Sequence, residues 1–139
     1  MPSLPPILRL IHPLPTLLNA AIAAGLTLVA GGSGAQAALA ALTMIGIHAS
    51  IGALNDLLDE RSDQGRTEKP LASGELHPRT VRTIIAVSAT IGFGAASLLG
   101  KDSLQVAIAG ATLGYLYDAG VKRTWLSFLP FALGVALIP

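Results

Sequence analysis

Cysteine is absent from all 139 residues, which excludes disulfides, zinc–thiolate sites and thiol nucleophiles. Aromatic residues make up 4% of the chain and charged residues 12%, the latter about half the share found in an ordinary soluble domain. The formal net charge is +1, so there is no basic excess of the kind that marks a nucleic-acid partner. More telling is where charge is missing. Leu10 to Leu54 carries none, and neither do Thr83 to Gly100, Ser103 to Leu116 or Thr124 to Pro139. A soluble protein scatters charge over one face of every helix. Long uncharged runs separated by charged clusters are instead the pattern of membrane spans joined by loops.

Hydrophobic residues supply 52% of the chain, and mean hydropathy is +0.64. Much of this is Ala, with 15 Gly, and small residues let helix backbones approach closely inside a bilayer. The reading is an all-α, polytopic transmembrane helix bundle of about four spans plus the start of a fifth, each complete span approaching the ~20 residues a bilayer needs. Span one runs roughly from Leu10 to Ala30, with Pro13 and Pro15 in its first turns, where proline is tolerated. Gly31-Gly32-Ser33-Gly34 is a turn. Span two covers Ala35 to Asn55, span three Arg79 to Leu99 and span four Ser103 to Tyr117, with a fifth apolar segment from Trp125. Gly110 and Gly114 form a Gly-x-x-x-Gly pair, expected to be a helix-packing seam. Tyr115 and Tyr117 are expected to be interfacial aromatics. Residues 1–139 form a single membrane domain that stops inside apolar sequence, so its natural polypeptide is expected to continue.

Basic residues set the orientation of short loops. With the N-terminus in the cytoplasm, eight of the nine Lys and Arg lie on the inner side and only Lys101 lies outside. The expected location is the bacterial inner (plasma) membrane, with the N-terminus and the acidic loop cytoplasmic.

That loop is where chemistry concentrates. Six acidic and five basic residues crowd between Asp56 and Arg82. On a continued helix, residues turning by about 100° each would place Asn55, Asp56, Asp59 and Asp63 on a single face. Like charges at that spacing repel, which calls for a cation between them. Oxygen-only ligands favour Mg²⁺, which completes its shell with water and phosphate. Asp56, Asp59 and Asp63 are therefore the candidate metal ligands. Arg66 and Lys69 follow at once and suit a diphosphate, the guanidinium as a bidentate fork and the ammonium as a point charge. The plainer alternative is a solvated loop that helps set topology. His12 is expected to be packing or a polar contact within the bundle.

Asn55-Asp56-x-x-Asp59-x-x-x-Asp63, followed by Arg66-Thr67-x-Lys69-Pro70-Leu71-x-Ser73-Gly74, resembles the UbiA family of intramembrane prenyltransferases. Lys69 stands where that family usually has Arg. Tyr117 to Arg123 is similar to its Tyr-x-x-x-Lys corner, with one extra residue before Lys122. The resemblance implies the first half of a bundle of about nine spans. It implies Mg²⁺ held by Asp56, Asp59 and Asp63, which are also the catalytic residues, against a polyprenyl diphosphate bound by Asn55, Arg66, Lys69, Tyr117 and Lys122. It also implies a small-molecule acceptor and a lipid bilayer as partners. The family's second acidic motif has no counterpart before Pro139, so a C-terminal half is missing and the 139 residues alone are expected to be inactive. The alternative is a non-catalytic truncated bundle that binds a lipid diphosphate or pairs with another subunit.

Overall fold

The structure, a computed structural model, describes residues 4–136, all of whose regular elements are helical. In chain order they are α1 (Pro6–Leu10), α2 (Pro13–Val29), α3 (Gly34–Leu58), α4 (Pro78–Leu99), α5 (Lys101–Ala119), a 3₁₀ turn (Val121–Arg123) and α6 (Leu129–Ala136). Helices stand at all four expected spans. Two of them, α3 and α4, are long and apolar enough on length and composition to cross a membrane. Helix α2 is apolar but has 17 residues, and α5 opens on Lys101 and Asp102. The last residues of the fifth apolar segment, 137–139, lie outside the described residues.

Sequence explains the boundaries. Ser33 caps α3: its hydroxyl accepts from Gln36 N, while Gln36 Oε1 accepts from Ser33 N at 2.8 Å. This reciprocal pair satisfies two otherwise orphaned donors. Gly31 supplies the left-handed φ of +84° that the α2–α3 turn requires. Pro78 opens α4, where its missing N–H costs nothing. The expected first span is broken near its start. His12, with a left-handed φ of +50°, separates α1 from α2, and a non-glycine residue held there costs about 1–2 kcal/mol.

Helix α3 is the centre of the bundle and packs against α2, α4 and α5. The buried side chains are mainly small: Ala37, Ala49 and Ala53 on α3, Ala95 and Ala96 on α4, Ala107 and Ala111 on α5. Backbones meet where α3 crosses α4. A Cβ on Gly46 would lie 2.5 Å from Gly92 N and 2.6 Å from Ser88 O, and one on Gly92 would lie 2.9 Å from Ile47 N. Backbone cannot yield as a flexible side chain can. Gly46→Leu is therefore expected to separate the two helices and cost at least the ~1–3 kcal/mol of an overpacked core. Thermal unfolding in nanodiscs measures it.

The expected Gly110–Gly114 seam is only half present. Gly114 sits under Ile51, but a Cβ on Gly110 would meet nothing. Tyr115 departs from the expected belt role. Its hydroxyl lies 2.7 Å from that of Ser50, fully buried on α3, and ties α5 to the central helix.

Candidate functional site

Helix α3 does not run on through the acidic motif. It ends at Leu58, with Asp59 as its C-cap, and the following residues turn away through Gly65 at φ +88°. Asp63 still keeps a helical-type hydrogen bond, its N–H donating to Asp59 O at 2.8 Å. The single helical face expected for Asn55, Asp56, Asp59 and Asp63 is thus split into two pairs, each closed by a lysine.

Lys69 closes the first. Its Nζ lies 2.5 Å from Asp56 Oδ1 and 3.9 Å from Asp63 Oδ2. Asp63 also accepts from Arg66 Nη1 at 3.1 Å, and Arg66 Nε donates to Glu68 at 2.7 Å. Lys122 closes the second. Its Nζ donates to Asn55 Oδ1 at 2.6 Å and Asp59 Oδ2 at 2.5 Å, and lies 3.7 Å from Asp118 Oδ1. Arg123 Nη2 holds the other oxygen of Asp59 at 2.9 Å. The structure therefore brings Asn55, Asp56, Asp59, Asp63, Arg66, Lys69 and Lys122 to one end of the bundle. Tyr117 lies just inside, in the cavity wall, with its ring edge-on to Phe131 at 5.0 Å.

Lys69 is placed by its neighbours. Pro70 and Leu71 are buried, and Leu71 packs with Leu10, Ala53 and Val81. The loop closes on this apolar peg through Ser73 N to Lys69 O (2.9 Å) and Leu76 N to Pro70 O (2.9 Å). Leu71→Ala is expected to cost about 2–5 kcal/mol and to release Lys69 from Asp56, seen as loss of its ammonium resonance by NMR. Arg9 on α1 completes the scaffold. It donates to Thr67 O (3.3 Å) and Glu68 O (3.4 Å) and pairs with Glu75 at 2.5 Å.

Three participants escape a motif-based reading. His12 Nε2 lies 3.2 Å from Asp56 Oδ1, and the absence of a side chain at Gly52 makes room for its ring, since a Cβ there would lie 3.0 Å from it. The left-handed backbone of His12 is the device that aims it, and nothing in the sequence announces that. Asp118 is buried beside Lys122; its i,i+4 spacing to Lys122 is a signal that could have been read. Arg123, the last residue of the Tyr117–Arg123 corner, contacts Asp59 directly.

Partial burial opposes ionisation of Asp59, but hydrogen bonds and charge from Lys122 and Arg123 outweigh it and hold the carboxyl below the usual carboxylate range. A group whose folded pKa is depressed stabilises the fold above its unfolded pKa and loses that contribution as pH falls through the folded value. The junction of α3 and α5 is therefore expected to loosen in acid. Carboxyl ¹³C NMR of Asp59 should give a midpoint below that of an exposed aspartate, and Lys122→Met should move it up.

The fit to a metal ion is chemical. Among the described residues no three acidic or histidine side chains gather closely enough to cage an ion. The donors are nonetheless hard oxygens, and two of them, Asp56 Oδ2 and Asp118 Oδ2, are buried without a hydrogen-bond partner. Mg²⁺ is commonly held by one or two carboxylates, with water and substrate phosphate completing its shell, so this donor set fits such an ion.

Inward from this end lies a cavity of about 1260 Å³ bounded by α2, α3, α5 and α6. Its lining runs from Asn55 and Asp118 down to Gln36 and Asp102. Along α3, Asn55 to Gln36 spans about 28 Å at 1.5 Å per residue, close to the ~30 Å hydrocarbon thickness of a bilayer. The walls between are mostly apolar.

Comparison with known proteins completes the description. The model of the UbiA prenyltransferase family matches residues 14–139. A digeranylgeranylglyceryl phosphate synthase of Methanopyrus kandleri is 32% identical over 73 residues, which are 52% of this chain and 27% of that protein. The match thus spans about a quarter of the relative's length. No solved structure matches the chain.

Proposed function

The chain belongs to the UbiA prenyltransferase family, a family of membrane-embedded proteins, and from that premise we propose that it serves Mg²⁺-dependent transfer of a prenyl group from a polyprenyl diphosphate to an acceptor within the membrane. The observation that carries this reading is the meeting of two motifs distant in sequence. Lys122 binds Asn55 and Asp59 at the mouth of a long cavity with mostly apolar walls.

Each part of the arrangement has a task in such a reaction. The apolar cavity takes the isoprenoid tail, and Lys69, Lys122, Arg66 and Arg123 stand where the diphosphate would rest. Asp56 and Asp59, with Asp63 beside them, would hold the ion. When bound, Mg²⁺ neutralises the diphosphate and makes it a better leaving group. The bond between prenyl C1 and the diphosphate oxygen breaks, with its electron pair leaving on the diphosphate. An electron pair of the acceptor then bonds to the allylic cation, and the acceptor releases a proton. Lysines that now neutralise carboxylates would turn to the departing anion once Mg²⁺ takes their place. The apolar walls would keep water from quenching the cation. In this reading α2 to α5 all cross the bilayer, as the first half of a larger bundle. The N-terminus, the Lys69 loop and Lys122 face the cytoplasm, where Mg²⁺ and phosphorylated metabolites occur.

The test is binding of geranylgeranyl diphosphate to the protein in nanodiscs, with and without Mg²⁺. Affinity that requires Mg²⁺ and is lost in Asp59→Asn supports the proposal. Equal affinity without the ion would sink it. Asp56 and Asp59 are already charge-paired with Lys69, Lys122 and Arg123, which also suits a bundle that holds a lipid diphosphate without turning it over. Binding with no release of pyrophosphate when acceptors are supplied would favour that second reading.

A further inference from the structure

Two turns of α3 below Asn55, about 10 Å deeper in the cavity, the wall becomes polar again. His48 on α3 and Asn19 on α2 both line it. Asn19 Nδ2 donates to Pro15 O at 2.9 Å and lies 3.5 Å from His48 Nδ1. Polar side chains at this depth are costly and mark function by default. The bland account is a hydrogen bond that glues two helices together. At 3.5 Å that bond is at the edge of what counts as one. The atoms with most to offer, His48 Nε2 and Asn19 Oδ1, have no protein partner among the described residues and are not sealed off.

The chemistry of the pair is specific. With His48 Nδ1 turned to the Asn19 amide N–H, the imidazole proton sits on Nε2, which becomes a donor. Asn19 Oδ1, on the neighbouring side chain in the same wall, is an acceptor. One donor next to one acceptor complements a hydroxyl, which accepts and donates at once. It does not complement an anion, which would meet Oδ1 as a second acceptor. The rest of the wall agrees: no Lys or Arg lines the cavity among the described residues, while Asp102 and Asp118 do. A carboxylate or phosphate buried at this depth would find no cation to offset its desolvation.

We propose that His48 and Asn19 anchor the acceptor, and that the acceptor is a neutral, lipid-soluble molecule carrying a hydroxyl, a phenol or an alcohol. This rests on the prenyl-transfer reading. The volume leaves room for it, since about 1260 Å³ exceeds the ~1,000 Å³ upper range of pockets for a single drug-sized ligand.

The experiment is calorimetric titration of the protein in nanodiscs with 4-hexylphenol, 4-hexylbenzoate and hexyl phosphate. A separate titration uses Mg²⁺ with geranyl S-thiolodiphosphate, which binds without reacting. The phenol is expected to bind about tenfold more tightly than either anion, the value of one to two hydrogen bonds. His48→Leu and Asn19→Leu should each weaken the phenol by about tenfold and leave the thiolodiphosphate within about twofold. His48→Gln, which can still donate, should restore most of the affinity, and circular dichroism checks that each variant remains helical. An anion binding as tightly as the phenol, or both ligands lost together in the leucine variants, would overturn the anchor. Phenol binding that ignores both substitutions would do the same. If the thiolodiphosphate binds wild type with Mg²⁺ while the phenol fails, the anchor alone is wrong. If the thiolodiphosphate itself does not bind, prenyl transfer falls and the anchor falls with it.

Discussion

Asp56→Asn is expected to weaken Mg²⁺-dependent binding of a prenyl diphosphate, and any turnover by the full-length protein, by about 10²–10³-fold, the range for removing one preorganised electrostatic contact. The substitution keeps shape and removes charge. It also strips the buried partner from Lys69 and His12, which meet Asp56 Oδ1 at 2.5 and 3.2 Å. Breaking a buried pair from one side costs about 3–5 kcal/mol, so lost binding could be mistaken for lost fold. The double variant Asp56→Asn, Lys69→Met separates the two. Removing both charges relieves the stranded ammonium, so unfolding stability should recover toward wild type while Mg²⁺-dependent binding stays lost. Recovery of both together would show that Asp56 serves the fold alone and would remove it from the site. Titration with the thiolodiphosphate, beside thermal unfolding, reads the two quantities independently.

Lys122→Met carries the second large effect. One ammonium here serves Asn55, Asp59 and, at 3.7 Å, Asp118. Without it, two carboxylates face each other across the helix junction with only Arg123 against one of them. Stability should fall by about 3–5 kcal/mol, and diphosphate affinity by about 10²-fold or more as a cationic contact is lost. Mg²⁺ should restore part of the stability of Lys122→Met, since a divalent ion can stand between carboxylates that the lysine no longer separates. Wild type, whose carboxylates are already neutralised, should gain less. Equal stabilisation of both proteins by Mg²⁺ would place ion binding away from this junction. Lys122→Arg should keep the charge but lose fit, because a planar fork does not replace a point charge among three oxygens.

The positions of the helices were legible because uncharged runs of bilayer length have few alternatives. Helices α3 and α4 fall within a few residues of the expected spans. The residues of the site were legible as a list, since carboxylates and lysines beside a span announce themselves. Their arrangement was not. Extending the helical period from Asn55 to Asp63 put four side chains on one face, whereas the chain leaves the helix at Leu58 so that Leu71 can pack against Leu10 and Val81. That apolar contact is non-local and overrides a local period. The left-handed backbone at His12 and the Gly46–Gly92 crossing escaped for a related reason. Each depends on two segments meeting, and neither segment alone shows it. Gly110 and Gly114 carry the better motif, yet nothing packs on Gly110, because spacing cannot tell which side of a helix its neighbour occupies.

The acidic loop is fastened from both directions of the chain. Arg9, which precedes it, grips Thr67, Glu68 and Glu75, and Lys122 and Arg123, which follow it, grip Asn55 and Asp59. Synthesis delivers these fasteners in order. The Arg9 clasp can form as soon as the loop emerges from the ribosome, while the Lys122 clasp must wait for α4 and α5 to be made. For that interval Asp59 is without its ammonium, and the nascent protein leaves open a carboxylate that the finished one holds paired.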